Sequence, residues 1–387
     1  MVTGATMAPR VLQVIPQLET GGAERTTLDV AEALVAAGGA AWVYCEPGGR
    51  MEPELLGLGA RVLHGPAGSK SPWTMLVANP ARLAALVRTE QLGLIHARSR
   101  APAWGALRAA RMAGVPFVTT YHGIYNARSG LKRWYNSVMA RGDLVIANSQ
   151  FTADHLVAQH GTDRSRVRVI PRGVDLVRFD PAAVAPARLQ ALRDAWGLAA
   201  DAGPVVLLPG RLTGWKGQRP FIRAIGQLAR AGLAVTAILA GDAQGRDAYA
   251  AELAALARAE GVGEAVKAVG NCSDMPAAML LADVVVCPSL DPEAFGRTAA
   301  EAQAMGRPVI ASNIGGARET VDPGVTGLLT EPGDVGALAA AIRQLLEAGP
   351  ETRDAMGRTG RTRVERLFSK QALQRATLAV YAELLER

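Results

Sequence analysis

Two carboxylates stand eight residues apart in Glu293-Ala294-Phe295-Gly296-Arg297-Thr298-Ala299-Ala300-Glu301, with Gly296 at the entry to a helix. Glu293 precedes that helix and Glu301 projects from its second turn, so at ~1.5 Å rise per residue the helical part separates them by roughly 6–8 Å. That reach lets one carboxylate hold a sugar hydroxyl and the other a ribose. The helix start between them offers free amides and a positive dipole end, which suit a diphosphate. The same glutamates also fit an ordinary surface helix. A second cluster narrows the choice: the apolar run 205–209 leads into Gly210-Arg211-Leu212-Thr213-Gly214-Trp215-Lys216-Gly217. Two cations five residues apart, in a glycine-rich turn at the carboxyl end of a strand, suit a diphosphate leaving group whose charge grows as its bond breaks. Solvated loop charges are the plainer alternative.

In the first half, Gly21-Gly22-Ala23-Glu24 joins the first strand to the first helix. Glycines there allow close backbone approach, and the helix start can hold a phosphate. A dinucleotide-binding reading is open, with Glu46 about one βαβ unit further on, but the run lacks the G-x-G-x-x-G spacing. Thr119-Thr120-Tyr121-His122-Gly123 ends a strand, so His122 is expected to face the ligand side rather than the core; a purely structural histidine is the alternative. No D-x-D triplet occurs, and no His/Asp/Glu cluster has metal-ligand spacing, so chemistry without a metal is expected. A retaining glycosidase needs two carboxyl groups ~5 Å apart, one of them a nucleophile. Glu293 and Glu301 read as binding groups, and neither is taken as a nucleophile.

The elements that must position these residues alternate. Short β-branched runs at 11–15, 41–45, 92–96, 116–121, 143–148 and 167–170 read as strands, as do 205–209, 234–240, 266–269, 284–287, 308–311 and 327–329. Helical patterns lie between most of the first-half strands, for example 23–36 and 101–113, and in the second half cover 217–231, 248–260, 297–305 and 335–346; an amphipathic helix ends the chain. The pattern is α/β, two doubly wound parallel-sheet halves. It divides into residues 1–180, 181–368 and a terminal helix 369–387, with Ile170-Pro171-Arg172-Gly173-Val174-Asp175 at the junction. Ligands of such sheets lie beyond the carboxyl ends of the strands, which puts the expected site in a cleft between the halves.

At 387 residues, 49% hydrophobic and 20% charged, the chain has ample core for two domains, and collagen-like, coiled-coil and largely disordered classes are excluded. Cys45, Cys272 and Cys287 are too few and scattered for a disulfide framework or a zinc site; they read as buried, reduced thiols of a cytosolic protein. No run approaches the ~18 apolar residues of a spanning helix, and the N-terminus reads as a short tail without a cleavable leader. The net charge of +7 is one-sided: residues 1–180 hold 20 Lys/Arg against 13 Asp/Glu, and residues 181–387 hold 22 of each. Between Glu90 and Asp143 no acid occurs among Arg98, Arg100, Arg108, Arg111, Arg128, Lys132, Arg133 and Arg141. Such a field attracts an anionic partner. Nucleic acid is not expected, because no binding motif accompanies the charges. Leu131-Lys132-Arg133-Trp134-Tyr135, cations beside interfacial aromatics, fits peripheral contact with an anionic membrane.

Glu293…Glu301 as E-x-F-G-x-x-x-x-E-A, then Gly306-Arg307-Pro308-Val309-Ile310-Ala311-Ser312, Gly315-Gly316-x-x-Glu319, Arg211 with Lys216, Pro171-Arg172-Gly173-Val174-Asp175, and Asn148-Ser149 after a strand, together resemble glycosyltransferase family 4. The resemblance runs from Gly21 to the terminal helix. It implies a GT-B fold, with an N-terminal acceptor domain, a C-terminal nucleotide-sugar domain and a last helix crossing back. It also implies transfer of a sugar from a nucleoside diphosphate donor with retention of configuration.

By that resemblance Arg211 and Lys216 neutralise the diphosphate, Glu301 binds the donor ribose, and Glu293 contacts the donor sugar with backbone amides around Phe295 and Gly296. Arg297 and Thr298 belong to the same donor-binding run, Arg297 standing where the family more often has an aliphatic residue. Gly21 and Gly22 floor the donor or acceptor pocket, and His122 contacts the donor sugar; Arg211, Lys216, Glu293 and His122 form the catalytic set, without a metal or other cofactor. The stretch 121–126, the basic segment to Arg141 and His96-Ala97-Arg98-Ser99-Arg100 look most like transferases of bacterial lipopolysaccharide. The expectation is therefore a cytoplasmic enzyme, associated with the inner face of the membrane, acting on an anionic glycolipid. A same-fold enzyme with a soluble acceptor and a non-catalytic nucleotide-sugar-binding module are the alternatives.

Overall fold

The computed structural model describes residues 8–125, 129–199 and 203–386 and divides into two compact units, Met1–Gly173 with Lys370–Arg387 and Val174–Ser369. The first is built on seven strands: β1 (Arg10–Val14), β2 (Ala40–Cys45), β3 (Arg61–His64), β4 (Leu94–Ala97), β5 (Phe117–Tyr121), β6 (Leu144–Ala147) and β7 (Val167–Val169). They pair in parallel in the order β3-β2-β1-β4-β5-β6-β7. Strands covered on both faces by helices need apolar side chains on both sides. β1 shows this: Leu12 and Val14 enter one core, Val11 and Ile15 the opposite one.

The second unit has six parallel strands: β8 (Val205–Pro209), β9 (Thr236–Ala240), β10 (Val266–Gly270), β11 (Val284–Cys287), β12 (Val309–Ser312) and β13 (Gly327–Thr330). Their order is β10-β9-β8-β11-β12-β13, and Val205 and Leu207 face one core while Val206 and Leu208 face the other. In both sheets the direction of winding reverses at one strand, β1 in the first and β8 in the second. The loops leaving β1 and β4, or β8 and β11, therefore part to opposite faces and leave a crevice at the strands' carboxyl ends. Those loops carry Gly21-Gly22 and Arg98 in the first unit, and Arg211–Lys216 and Glu293 in the second.

Several features differ from the sequence expectation. Strand β3 was not anticipated: it is a four-residue edge strand whose ends are exposed, so its pattern is weak. The first unit ends at Gly173 rather than at residue 180, because Val174 and Phe179 are buried in the second unit's core and Val174 N donates to Phe368 O at 2.7 Å. Ser369 also belongs to the second unit, and the helix Lys370–Leu385 to the first. There it buries Leu373, Val380, Tyr381 and Leu384 in the core shared with helix Gly22–Ala36. No helix among the described residues is long and apolar enough to cross a membrane.

The terminal helix is also fastened by a buried polar chain. The Tyr381 hydroxyl lies 2.6 Å from His96 Nδ1, and Thr120 Oγ1 lies 2.7 Å from His96 Nε2. Removing the phenol oxygen leaves a buried imidazole nitrogen without its partner. Tyr381→Phe is expected to cost about 1–3 kcal/mol of stability, read as a lowered urea midpoint with an unchanged denaturant slope.

Candidate functional site

In the second unit the site is assembled by loops that leave neighbouring strands. After β8 the chain makes a short turn, Gly214–Lys216, and reaches Gly217 at φ +79°. A side chain at Gly217 would sit 1.9 Å from Pro288 O, so both its left-handed backbone and its closeness to the end of β11 demand glycine. Leu290 N donates to Trp215 O at 2.7 Å, locking the two loops together. The result is an ion pair between groups 77 residues apart: Lys216 Nζ donates to Glu293 Oε1 at 2.7 Å, with the side chains only 14% and 19% exposed. Ser289 Oγ donates to the same oxygen at 2.6 Å, and Lys216 Nζ lies 4.5 Å from the Trp215 ring centroid.

Beyond Glu293 the chain enters the helix Arg297–Ala304 through Gly296, whose φ of +82° again requires glycine and which offers no capping side chain to the first amides. A helix start without such a cap keeps donors for an anion. Phe295 is buried edge-on against Phe368 at 5.2 Å, so only its backbone is available to a ligand. Gly316 N donates to Glu293 O at 2.8 Å and Thr320 Oγ1 to Phe295 O, which explains the Gly315-Gly316 motif as the rear support of this loop. A small cavity here is lined by Cys287, Ser289, Glu293, Gly296, Thr298 and Ser312, among others. Burial, and then Glu293, push the Cys287 thiol up to about 12, so it stays protonated.

Arg297, the departure from the family pattern, has a defined partner: its Nε donates to Glu301 Oε1 at 2.8 Å, one helical turn on. Arg211 is placed differently from Lys216. Its carbonyl accepts from the buried Gln218 Nε2 at 3.0 Å, which fixes the backbone, while the guanidinium is exposed and only approaches Gln244 Oε1 at 3.5 Å. The second unit thus brings together Lys216, Glu293, Gly296 and Thr298 and sets Arg297 on Glu301. Ser289, which completes the pairing, was missed; its position after an apolar strand was the available signal.

In the first unit Gly21 is the extended residue before helix Gly22–Ala36. A side chain on Gly22 would meet Arg172 Nη1 at 2.2 Å, so the guanidinium rests on the helix start. Asn148 Oδ1 accepts from Arg172 Nε and Nη2, both at 3.3 Å, and Arg172 Nη2 lies 3.4 Å from His122 Nδ1. With Nδ1 facing a donor, His122 carries its proton on Nε2, a buried N–H with no partner among the described residues. The ring is therefore packed beneath Arg172 and Asn148 rather than projecting freely. Burial, then Arg172 and Arg98, hold His122 well below the usual histidine range, so it is neutral at pH 7.

The acid-free stretch divides in the same unit. Arg98 is internal, 2% exposed, with its Nε on Gln13 Oε1 at 2.7 Å, so its guanidinium is not presented at the surface to pair directly with an anion. Arg111 pairs with Asp143 at 3.2 Å. Arg100 stacks over Tyr125 at 4.3 Å and Arg141 over Trp104 at 5.0 Å. Lys132 and Arg133 are exposed on helix Gly130–Asn136; Asn126 and Arg128 lie outside the described residues. The reading of the cysteines needs a correction. All three are free, but only Cys45 is fully buried, and the fold gathers Cys45, Glu52 and His64 into one group close enough to share a metal ion. Spacing alone had excluded such a group.

Comparison with known proteins follows the same division. Residues 20–178 match the model of Glycosyltransferase Family 4 and residues 194–363 that of Glycosyl transferases group 1. A D-inositol 3-phosphate glycosyltransferase of Xylanimonas cellulosilytica is 30% identical, over 95% of this chain and 93% of its own length. A solved glycosyltransferase from Rickettsia africae superposes with a TM-score of 0.91 at 32% identity, covering 98% of this chain and all of its own. Anabaena HepE, solved in complex with UDP-glucose, gives 0.82 at 28% identity over 97% of this chain and all of its own.

The histidines set an acid limit on stability. His96 and His122 are both held neutral by burial first and by neighbouring arginines. Below about pH 6.5 the unfolded chain takes up protons that the folded chain refuses, so stability falls as pH falls, by up to about 1.4 kcal/mol per pH unit for each. Urea unfolding between pH 7 and pH 5 should show that decline, and His122→Gln should make it shallower. A midpoint flat across the range would contradict the assignment.

Proposed function

We propose that this chain, which belongs to the glycosyltransferases of the GT-B fold, moves a glycosyl unit from a uridine diphosphate sugar to a hydroxyl of an anionic acceptor, with retention of configuration. The observation that carries the donor half is the Lys216–Glu293–Ser289 cluster beside the helix start at Gly296. An ammonium has three N–H donors, so Lys216 can keep Glu293 and still bind a phosphate oxygen. Arg211 closes on the diphosphate from the exposed side, and the amides after Gly296 complete its neutralisation without a metal ion. Glu293 takes a sugar hydroxyl, and Glu301, with one oxygen held by Arg297, offers the other to the ribose. The uridine base follows HepE, solved with UDP-glucose.

As the acceptor oxygen bonds to the anomeric carbon, the bond from that carbon to the diphosphate breaks, and a diphosphate oxygen on the same face receives the acceptor's proton. The cations stabilise the charge that grows on the leaving group, the term expected to dominate the rate. In the first unit the Nε2–H of His122 is a neutral donor suited to a sugar hydroxyl, and Gly22 gives close backbone access at a helix start.

For the acceptor, the basic excess of residues 1–180 and the D-inositol 3-phosphate glycosyltransferase support a soluble phosphorylated polyol. A second reading, a glycolipid of the lipopolysaccharide type met at the inner face of the cytoplasmic membrane, rests on a different observation. Leu131 is 76% and Trp134 48% exposed, on the helix that carries Lys132 and Arg133.

Lys216→Ala should lower kcat by about 10²–10³-fold and Glu301→Ala should lower kcat/KM chiefly by raising KM for the donor, each with unchanged circular dichroism, while Mg²⁺ or Mn²⁺ leaves the wild-type rate unaltered. Full activity in both variants refutes the donor site, and a product of inverted anomeric configuration by NMR refutes retention. Co-sedimentation separates the acceptor readings. If the acceptor is membrane-borne, the chain should bind anionic vesicles in preference to neutral ones and release at high salt, and Leu131→Ser with Trp134→Ser should abolish that binding. Equal, weak binding to both vesicle types, with transfer to a polyol phosphate, leaves the soluble acceptor.

A further inference from the structure

We propose that Cys45, Glu52 and His64 form a binding site for one thiophilic divalent cation of the zinc class at the edge of the first sheet. Cys45 is the last residue of β2 and His64 the last of β3, and the two are register partners, so their side chains leave the same face at the same height. Glu52 opens the helix Glu52–Gly57. The loop before that helix is tied down by Met51 N donating to Leu18 O at 2.8 Å. One thiol sulfur, one carboxylate oxygen and one imidazole nitrogen thereby lie within 4.8 Å of one another, with His64 Nε2 already 2.8 Å from Glu52 Oε1. A tetrahedral centre with bonds of about 2.0–2.3 Å spaces its ligand atoms roughly 3.3–3.8 Å apart, so side-chain adjustments of about an ångström close the site.

The donor set decides the class of ion. A thiolate, an imidazole and a carboxylate select zinc-like metals over magnesium or calcium, which prefer oxygen alone. Exposure is graded from Cys45, fully buried, through Glu52 at 15% to His64 at 45%, so the ion enters from the His64 side and a water fills the fourth position. Glu46 stands beside the cluster with Oε1 fixed by Gly68 N at 2.9 Å, adding negative field. Without metal, burial and then Glu52 and Glu46 keep Cys45 a protonated thiol. Coordination forms the sulfur–metal bond and releases that proton to solvent. The ion would pin β3, paired on one side only, to the helix beside it. None of this depends on the glycosyl-transfer reading.

Titration of the metal-free chain with Co²⁺ is the test. One equivalent should bind with a thiolate-to-cobalt charge-transfer band in the near ultraviolet. Zn²⁺ should displace it and raise the thermal midpoint, and Mg²⁺ should do neither. Cys45→Ser, which keeps Cys272 and Cys287, should remove the band. His64→Ala, at the exposed edge and outside the core, should weaken Zn²⁺ binding at least about tenfold while the fold, by circular dichroism, is unchanged. Absence of the band in the wild type, its persistence in Cys45→Ser, or unaltered Zn²⁺ affinity in His64→Ala overturns the proposal.

Discussion

The ion pair between Lys216 and Glu293 is the constraint around which the second unit's site is arranged. Both side chains are largely out of water, and a charge pair so placed loses much of its hydration unless further polar groups replace it. Here Ser289 donates to the shared carboxylate oxygen and the Trp215 ring lies beneath the ammonium. All of this requires the turn after β8 to touch the end of β11, which only a glycine at 217 permits. The loop bearing Glu293 is in turn held from behind by Gly316 N and Thr320. Motifs that look independent along the chain are thus parts of one support, each limiting where a single carboxylate can stand.

The interior strands and their helices were legible because a doubly covered parallel strand must be apolar on both faces, and β8 and β11 read as unbroken apolar runs. What failed to show was structure not built on apolar periodicity. Helix Gly349–Leu367 buries little beyond Gly357, Gly360 and Val364. At Gly357 a side chain would lie 1.9 Å from Gly306 O, so the helix packs by backbone approach and carries no hydrophobic stripe. Edge strand β3 was hidden for a related reason, since both of its ends face solvent.

The site shows the same divide between local and long-range information. Residue types and spacing singled out Glu293, Glu301, Arg211 and Lys216 as candidates, but for most of them the partner is a matter of the fold. Arg297 and Glu301, four residues apart, formed the one pair that helix geometry alone could have given. Lys216 and Glu293 needed two strands to bring them together. His122 needed Arg172 and Asn148, from two other loops, to fix its tautomer. Cys45 and His64 are neighbours only because β2 and β3 are in register, and no Cys or His spacing records that.

Charge in the first unit follows from side-chain chemistry as much as from number. Among its cations up to residue 180, only Lys70 and Lys132 are lysines. A guanidinium is planar and weakly hydrated, so it can lie on an aromatic ring or enter the interior where an ammonium would have to shed its water. Arg100 over Tyr125, Arg141 over Trp104 and the internal Arg98 do this. Trp104 in turn stacks on Trp134 at 4.3 Å, which ties the helix bearing Lys132 and Arg133 to the body of the unit. Cations held in this way have already lost much of their rotamer freedom, and an anion that binds them pays less of that entropy. Part of the positive excess is therefore preorganised: Arg100 and Arg141 are fixed on aromatic supports, close in sequence to the exposed Lys132 and Arg133.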